Sequence, residues 1–234
     1  MNVIGRFLQG RDLTIRWSLR LDRKAPAHDR RSIGAQLIRI CAFGIAMAFC
    51  AGAVHAQVDP FWLRSWNEAQ KSRPTTFSSS GRIAAKSERG VPLMVHGKVV
   101  GPDGRTPAKG VVVHAYHRDN DGFDFGPNDS ALTTWRLQGW VKTDAEGRFE
   151  FQSIRPAPDH LGREGSHIHF TVESPEFGRQ WALQLFFSDD PRVTESQRRH
   201  SREAGEFGSV REVSLVDGVQ QVDVRIRLKN KADF

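Results

Sequence analysis

The sequence is poor in cysteine: it contains two in 234 residues, and both, Cys41 and Cys50, lie near its start. The rest of the chain therefore has no disulfide framework and no thiolate to serve as a nucleophile or a metal ligand. A domain that follows must be stabilised by its apolar core. About 180 residues remain after residue 56, which is enough for one domain with a sizeable core.

Long hydrophobic runs are also scarce, and the one that stands out covers residues 37–54. Arginines precede it, and it closes on Val-His-Ala at 54–56, the small-x-small pattern that signal peptidase cuts. These features predict an export signal peptide over 1–56, a mature chain from about Gln57, and a periplasmic or secreted protein without stable membrane insertion. The arginine pair at 30–31 resembles a twin-arginine signal, and an ordinary secretory signal is the alternative.

The mature chain has little net charge. The whole sequence has a formal net charge of +7. Residues 1–56 hold nine of the 34 Lys and Arg and three of the 27 Asp and Glu, which leaves 25 basic and 24 acidic residues. No cluster of Lys and Arg of the kind that binds nucleic acid remains, so nucleic acid is excluded as a predicted partner.

Residues 57–90 are mostly polar and are predicted to form an N-terminal arm. Asp59 followed by Pro60 is typical of a helix start, since Asp caps free backbone N–H groups and proline fits the first helical position. Phe61, Trp62 and Trp66 would then form the apolar side of a short helix that packs on the main domain.

Residues 91–234 consist of short apolar segments separated by turns rich in glycine and aspartate, without a long helical period. This pattern predicts an all-β fold of the β-sandwich type. Two loops, 122–136 and 156–166, are longer than a hairpin needs, and long loops on a β scaffold are where binding sites are usually built.

One segment, 164–172, has strand character and carries two histidines. Side chains alternate across a strand, so His167 and His169 point to one face while Ile168 and Phe170 point to the other. Two neutral imidazoles side by side form half of a site for iron, copper, zinc or nickel. The alternative is a surface strand with two unrelated histidines.

Seven motifs follow one another between residues 93 and 191. They are Gly97-Lys98-Val99, Pro107-Ala108-Lys109-Gly110-Val111, Asp119-Asn120-Asp121-Gly122, Thr143-Asp144-Ala145-Glu146-Gly147-Arg148-Phe149-Glu150-Phe151, Ile154-Arg155-Pro156, His167-Ile168-His169-Phe170 and Gln184-Leu185-Phe186-Phe187. Their order resembles that of the intradiol ring-cleavage dioxygenases, the catechol and protocatechuate 3,4-dioxygenase group. The first half is shared with transthyretin-like sandwiches, and the second half is more specific. The resemblance implies a non-haem Fe(III), held by two tyrosines and two histidines, and cleavage of a catechol by O2 between its hydroxyl-bearing carbons.

The resemblance also implies roles for individual residues. His167 and His169 match the two histidine ligands, and Gln184 matches the glutamine on the strand behind the substrate. The family has an arginine just before the histidine pair that stabilises charge on the substrate. Arg163 is the nearest candidate for it, displaced by about one position.

The two tyrosine ligands of the family do not carry over. The chain has the stretch 123–125, with Asp124 at its centre, at the first position, and Asp159 followed by His160 at the second. The single tyrosine, Tyr116, matches a tryptophan position and is interpreted as a packing residue, with a ligand role left open. Two histidines with one carboxylate form the metal site of many Fe(II) oxygenases. The two aspartates and His160 are therefore candidate ligands, and each is alternatively an ordinary loop residue.

The sequence thus predicts an exported, metal-dependent dioxygenase that acts on a catechol-like aromatic compound with O2. Iron is the expected metal, with copper or another divalent ion as alternatives, and a homo-oligomer is allowed. A non-catalytic periplasmic β-sandwich that binds metal or a small ligand is the competing hypothesis, because the tyrosine ligands are missing. A transthyretin-like interaction module is the third.

Overall fold

Residues 58–127 and 132–234 are described by the computed structural model of the chain. The predicted export signal, residues 1–56, lies outside these ranges. Within them, no helix is long and apolar enough to cross a membrane.

The described part of the chain begins with a helix, α1 (Pro60–Ala69), followed by a single 3-10 turn (Gln70–Ser72). The Asp59 side chain caps α1 by accepting a hydrogen bond from the backbone N–H of Phe61 at 2.9 Å. Proline has no backbone N–H, and at the first helical position this group would have no partner within the helix. The short N-terminal helix predicted from the sequence is confirmed.

Eleven strands in the described part of the chain form two sheets. The strands are β1 (Ser80–Arg82), β2 (Pro92–Val100), β3 (Val112–His117), β4 (Leu137–Lys142), β5 (Arg148–Ile154), β6 (His167–Ser174), β7 (Gly178–Trp181), β8 (Leu185–Phe187), β9 (Val210–Arg211), β10 (Val213–Val216) and β11 (Val219–Arg227). The first sheet has the order β1-β5-β2-β11-β10; the second has the order β4-β3-β6-β8-β9, with β7 also paired to β6. A second helix, α2 (Glu195–Glu203), lies between β8 and β9.

Apolar side chains from both sheets form one continuous core. Phe149 and Phe151 of β5, Phe170 of β6 and Phe187 of β8 are almost completely buried in it. The ring centroids of Phe149 and Phe170, which come from different sheets, lie 6.4 Å apart. Two sheets packed face to face in this way are a β-sandwich, so the predicted all-β fold is confirmed.

The N-terminal arm is joined to this sandwich by strand pairing. β1 runs parallel to β5, with Ser80 opposite Glu150. Ile83 and Ala84, which follow β1, are buried in the core. This edge strand extends the first sheet.

A second apolar cluster covers the outer face of the second sheet. Ala115 of β3 faces the sandwich core, and its neighbour Tyr116 faces the other way, as strand alternation requires. Tyr116 packs there with Trp66 of α1 and with Trp135. The helix is therefore fixed against the same sheet face that carries the histidine pair, because Tyr116 lies opposite His169 in the register of β3 and β6.

Candidate metal centre

The two histidines at the start of β6 converge on one point. Their Nε2 atoms lie 2.9 Å apart. The other ring nitrogen of each is held: His167 Nδ1 lies 2.7 Å from the carbonyl oxygen of Gly165, and His169 Nδ1 lies 3.2 Å from the side-chain amide of Gln184. Ile168, between them, is buried in the core. The two rings thus share the outer face of the strand, as alternation predicts.

These contacts form a complete hydrogen-bond chain. His167 Nδ1–H donates to Gly165, which leaves its Nε2 as an acceptor. His169 Nε2–H donates to that acceptor, and His169 Nδ1 accepts from the amide of Gln184. Burial lowers the pKa of His167 and lowers the pKa of His169 well below its ordinary value. Both rings are therefore neutral at pH 7, the form that ligates metals.

The geometry of the pair fits two neighbouring ligands of one metal ion. Metal–nitrogen bonds of about 2.0–2.1 Å at a right angle place two nitrogen atoms about 2.9 Å apart. For both Nε2 atoms to face an ion, His169 must hold its proton on Nδ1, and Gln184 must then turn its amide oxygen toward that proton. Outer partners such as Gly165 and Gln184 are the usual means by which a protein orients histidine ligands.

The predicted further ligands are held elsewhere. Asp124 accepts a hydrogen bond from Arg118 Nε at 3.2 Å. Asp159 is buried and accepts from the backbone N–H of Glu164 at 2.8 Å, and the exposed ring of His160 stacks on Phe123 with centroids 4.6 Å apart. Among the residues that the structure describes, no group of three or more His, Cys, Asp or Glu side chains is placed to hold a metal ion. Coordination by Asp124, Asp159 or His160 remains a prediction and requires these side chains to move.

These three residues do come together in a cavity of about 430 Å³. Its polar lining comprises Asp124, Asp159 and His160 together with two arginines, Arg118 and Arg163, and its apolar lining comprises Phe61, Phe125 and Leu132. The cavity has the size and mixed lining of a small-molecule site. The two long loops predicted to build a site therefore meet in one cavity.

A second arginine, Arg118, lies closer to the histidine pair along the sheet and is not among the predicted site residues; a role for Arg163 remains a prediction. Arg163, the sequence candidate, is 74% exposed and lies 3.6 Å from Asp159. Arg118 is only 16% exposed, and its charge adds to the effect of burial in lowering the pKa of both histidines. Strand register could have located it: Tyr116 lies opposite His169, and Arg118 follows two residues later on the same face.

Tyr116 is engaged in packing. Its ring stacks on His169 with centroids 4.7 Å apart, and on Trp135 at 3.7 Å. Its hydroxyl accepts a hydrogen bond from the indole N–H of Trp62 at 2.8 Å. Burial raises the pKa of the Tyr116 hydroxyl, which keeps the phenol protonated. These contacts agree with the interpretation of Tyr116 as a packing residue.

The described residues thus combine a β-sandwich with a paired His-x-His on the outer face of one sheet. The dioxygenase family model matches residues 75–204, more than half of the chain. The chain belongs to the intradiol ring-cleavage dioxygenase family, and the resemblance read from its motifs is confirmed.

Curated relatives are similar over part of their length. Catechol 1,2-dioxygenase 1 of Acinetobacter lwoffii is 34% identical over 130 residues, which are 48% of this chain and 41% of the relative. Catechol 1,2-dioxygenase 2 of the same organism is 28% identical over 160 residues, 62% of this chain and 54% of the relative. The 6-chlorohydroxyquinol 1,2-dioxygenase of Cupriavidus pinatubonensis is 32% identical over 113 residues, 42% of this chain and 40% of the relative. The chain thus spans about half the length of these relatives.

Solved structures are similar as well. The structure of catechol 1,2-dioxygenase from Acinetobacter sp. ADP1 is 16% identical, with a TM-score of 0.48, and the match covers 87% of this chain and 81% of that chain. The dioxygenase domain of a dioxygenase carbohydrate-binding protein fusion from Streptomyces sp. SirexAA-E is 23% identical, with a TM-score of 0.48, and covers 67% and 93%.

Proposed function

We propose that this chain is an exported member of its family that binds one metal ion, iron in the first place, through His167 and His169. It would act on a catechol-like aromatic compound with O2. The observation that supports the proposal most is the convergence of two neutral Nε2 atoms at 2.9 Å. Gly165 and Gln184 orient the two rings from behind.

The metal, when bound, would supply Lewis-acid activation of the substrate oxygens and of O2. The protein would position the groups around it. Gln184 holds the ring of His169, so it acts as a positioning residue. The stacked pair of Phe123 and His160 and the cavity residue Phe61 offer apolar surface to an aromatic ring. Arg118 supplies positive charge beside the pair for a deprotonated catechol oxygen.

Oxygen consumption tests the proposed reaction. Protein loaded with iron should consume O2 when catechol is added, with loss of catechol measured by liquid chromatography. Phenol, which lacks the second hydroxyl, should give no consumption, because the reaction breaks the bond between two hydroxyl-bearing carbons. His167→Ala should abolish the reaction, since it removes half of the ligand pair.

If iron-loaded protein binds catechol without consuming O2, the result would contradict the proposed enzymatic activity and support the non-catalytic alternative. One observation favours that alternative: the hydrogen-bond chain through the two histidines is complete, and no third ligand stands beside it within the described residues. Quenching of tryptophan fluorescence would report such binding, because Trp62 and Trp135 pack near Tyr116.

Export is the second part of the proposal. A protein expressed with its full sequence in a Gram-negative bacterial host should be recovered from the periplasm with a mass that begins near Gln57, because Val-His-Ala at 54–56 closes the apolar run. Intact mass spectrometry measures this. Ala56→Lys should block cleavage at this point. Recovery of wild-type protein that retains residues 1–56 would contradict the predicted signal peptide.

A further inference from the structure

Arg118 is a fixed positive charge beside the histidine pair. It follows β3 by one residue, on the sheet face that carries Tyr116 and His169. Its Nη2 donates to Glu164 at 2.7 Å and its Nε donates to Asp124 at 3.2 Å. The guanidinium is therefore held on two sides by carboxylates. Its third nitrogen, Nη1, is buried and has no hydrogen-bond partner among the described residues.

Arg118 lies across the sheet from His167. Tyr116 is opposite His169 in the antiparallel register of β3 and β6, Arg118 comes two residues after Tyr116, and His167 comes two residues before His169. The two carboxylates paired with Arg118, Asp124 and Glu164, would otherwise favour a metal ion through their negative charge. A fixed positive charge in a site that is only partly exposed repels a divalent cation about twice as strongly as a monovalent one, because Coulomb energy scales with charge.

We propose that Arg118 is the resident cation of this site, that is, a fixed positive charge that stands beside the two histidines. We propose also that it lowers the affinity of the histidine pair for a metal ion. The inference rests on the proposed function, since it concerns the same two ligands. Arg118 acts in two ways: its charge repels an ion at the Nε2 atoms, and its ion pair keeps the Asp124 carboxylate from turning toward them. An ion can gain the Asp124 carboxylate as a ligand only when the Arg118–Asp124 contact breaks.

The competing interpretation is that Arg118 only fastens the loops of Asp124 and Glu164 to the sheet. Both interpretations predict a loss of stability when Arg118 is replaced. Only the resident-cation proposal predicts a gain in metal affinity, so affinity is the decisive measurement.

The experiment is a titration of metal-free protein with Zn²⁺, which has no redox chemistry, by isothermal calorimetry. R118Q removes the charge and keeps a polar side chain; R118M is the second neutral variant in case R118Q folds poorly. R118K keeps the charge. Arg155 provides the matched control, because it is also 16% exposed and forms a two-point ion pair with Asp189, and it contacts neither histidine among the contacts that the structure describes.

R118Q or R118M should bind Zn²⁺ at least about tenfold more tightly than the wild type, the ratio expected when one opposing charge leaves a partly buried site. R118K should stay within about threefold of the wild type, and so should R155Q. Equal affinity of R118Q, R118M and the wild type would overturn the inference. If the wild type still binds Zn²⁺ and His167→Ala does not, the proposed function survives that result. Absence of binding in every protein would overturn both.

Discussion

His167→Ala should weaken Zn²⁺ or Fe²⁺ binding by more than about a hundredfold. Removing even an outer partner of a metal-ligating histidine typically costs 10–100-fold in affinity, and this change removes one of the two nitrogens that face the ion. His169→Ala should have the same effect. Because its ring also stacks on Tyr116, this second variant should lose stability as well. Calorimetric titration and elemental analysis after dialysis measure the two effects on metal binding.

His200→Ala is the control for these variants. His200 lies in α2 and is exposed, so its removal should leave metal affinity unchanged. Equal metal content in His167→Ala, His169→Ala and His200→Ala would show that bound metal lies elsewhere on the protein. Thermal unfolding of each variant separates a lost ligand from a lost fold.

The histidine pair could be predicted because its geometry is local. Two residues at i and i+2 on a strand share a face whatever the strand pairs with. The buried Ile168 between them fixes which face that is. The β-sandwich was predictable for the same kind of reason, because the short apolar segments and the turn residues between them are local features of the sequence.

The guanidinium beside the pair was not predictable from motif order. Arg163 is near the histidines in sequence, but its loop carries it to the surface. Arg118 is 49 positions before His167 and becomes its neighbour only through the pairing of β3 with β6. That register is a long-range property of the fold. Once β3 and β6 are paired, however, the position of Arg118 follows from alternation.

Asp124 and Asp159, the predicted replacements for the family tyrosines, are engaged by other partners in the structure. An aspartate side chain reaches much less far than a tyrosine and carries a full charge at neutral pH. A buried or half-buried carboxylate takes the nearest cationic or N–H partner. Asp124 finds Arg118, and Asp159 finds the backbone N–H of Glu164. Sequence position alone did not reveal these competing partners.

Buried histidines should also make the protein sensitive to acid. Burial lowers the pKa of His114 to about 3 and that of His117 to about 4, whereas both have a pKa near 6.5 in an unfolded chain. Between these values the unfolded state binds more protons than the folded state, so the free energy of unfolding falls as pH falls. The loss begins near pH 6.5 and levels off below the folded-state pKa values.

The His114→Gln variant should isolate this effect. His114 is almost completely buried: it stacks on Trp140 with centroids 3.9 Å apart, and its Nε2–H donates to Gln138 at 3.0 Å, so protonation would place a charge where water cannot solvate it. The wild type should lose on the order of 2 kcal/mol through His114 between pH 7 and pH 4.5. Glutamine does not titrate in this range, so the variant should show a smaller loss over the same interval, although its stability at pH 7 is lower. Urea unfolding followed by tryptophan fluorescence at pH 7, 5.5 and 4.5 measures this difference. The exposed His200→Gln should retain the wild-type slope, and an unchanged slope in His114→Gln would show that His114 accepts a proton in the folded protein without cost.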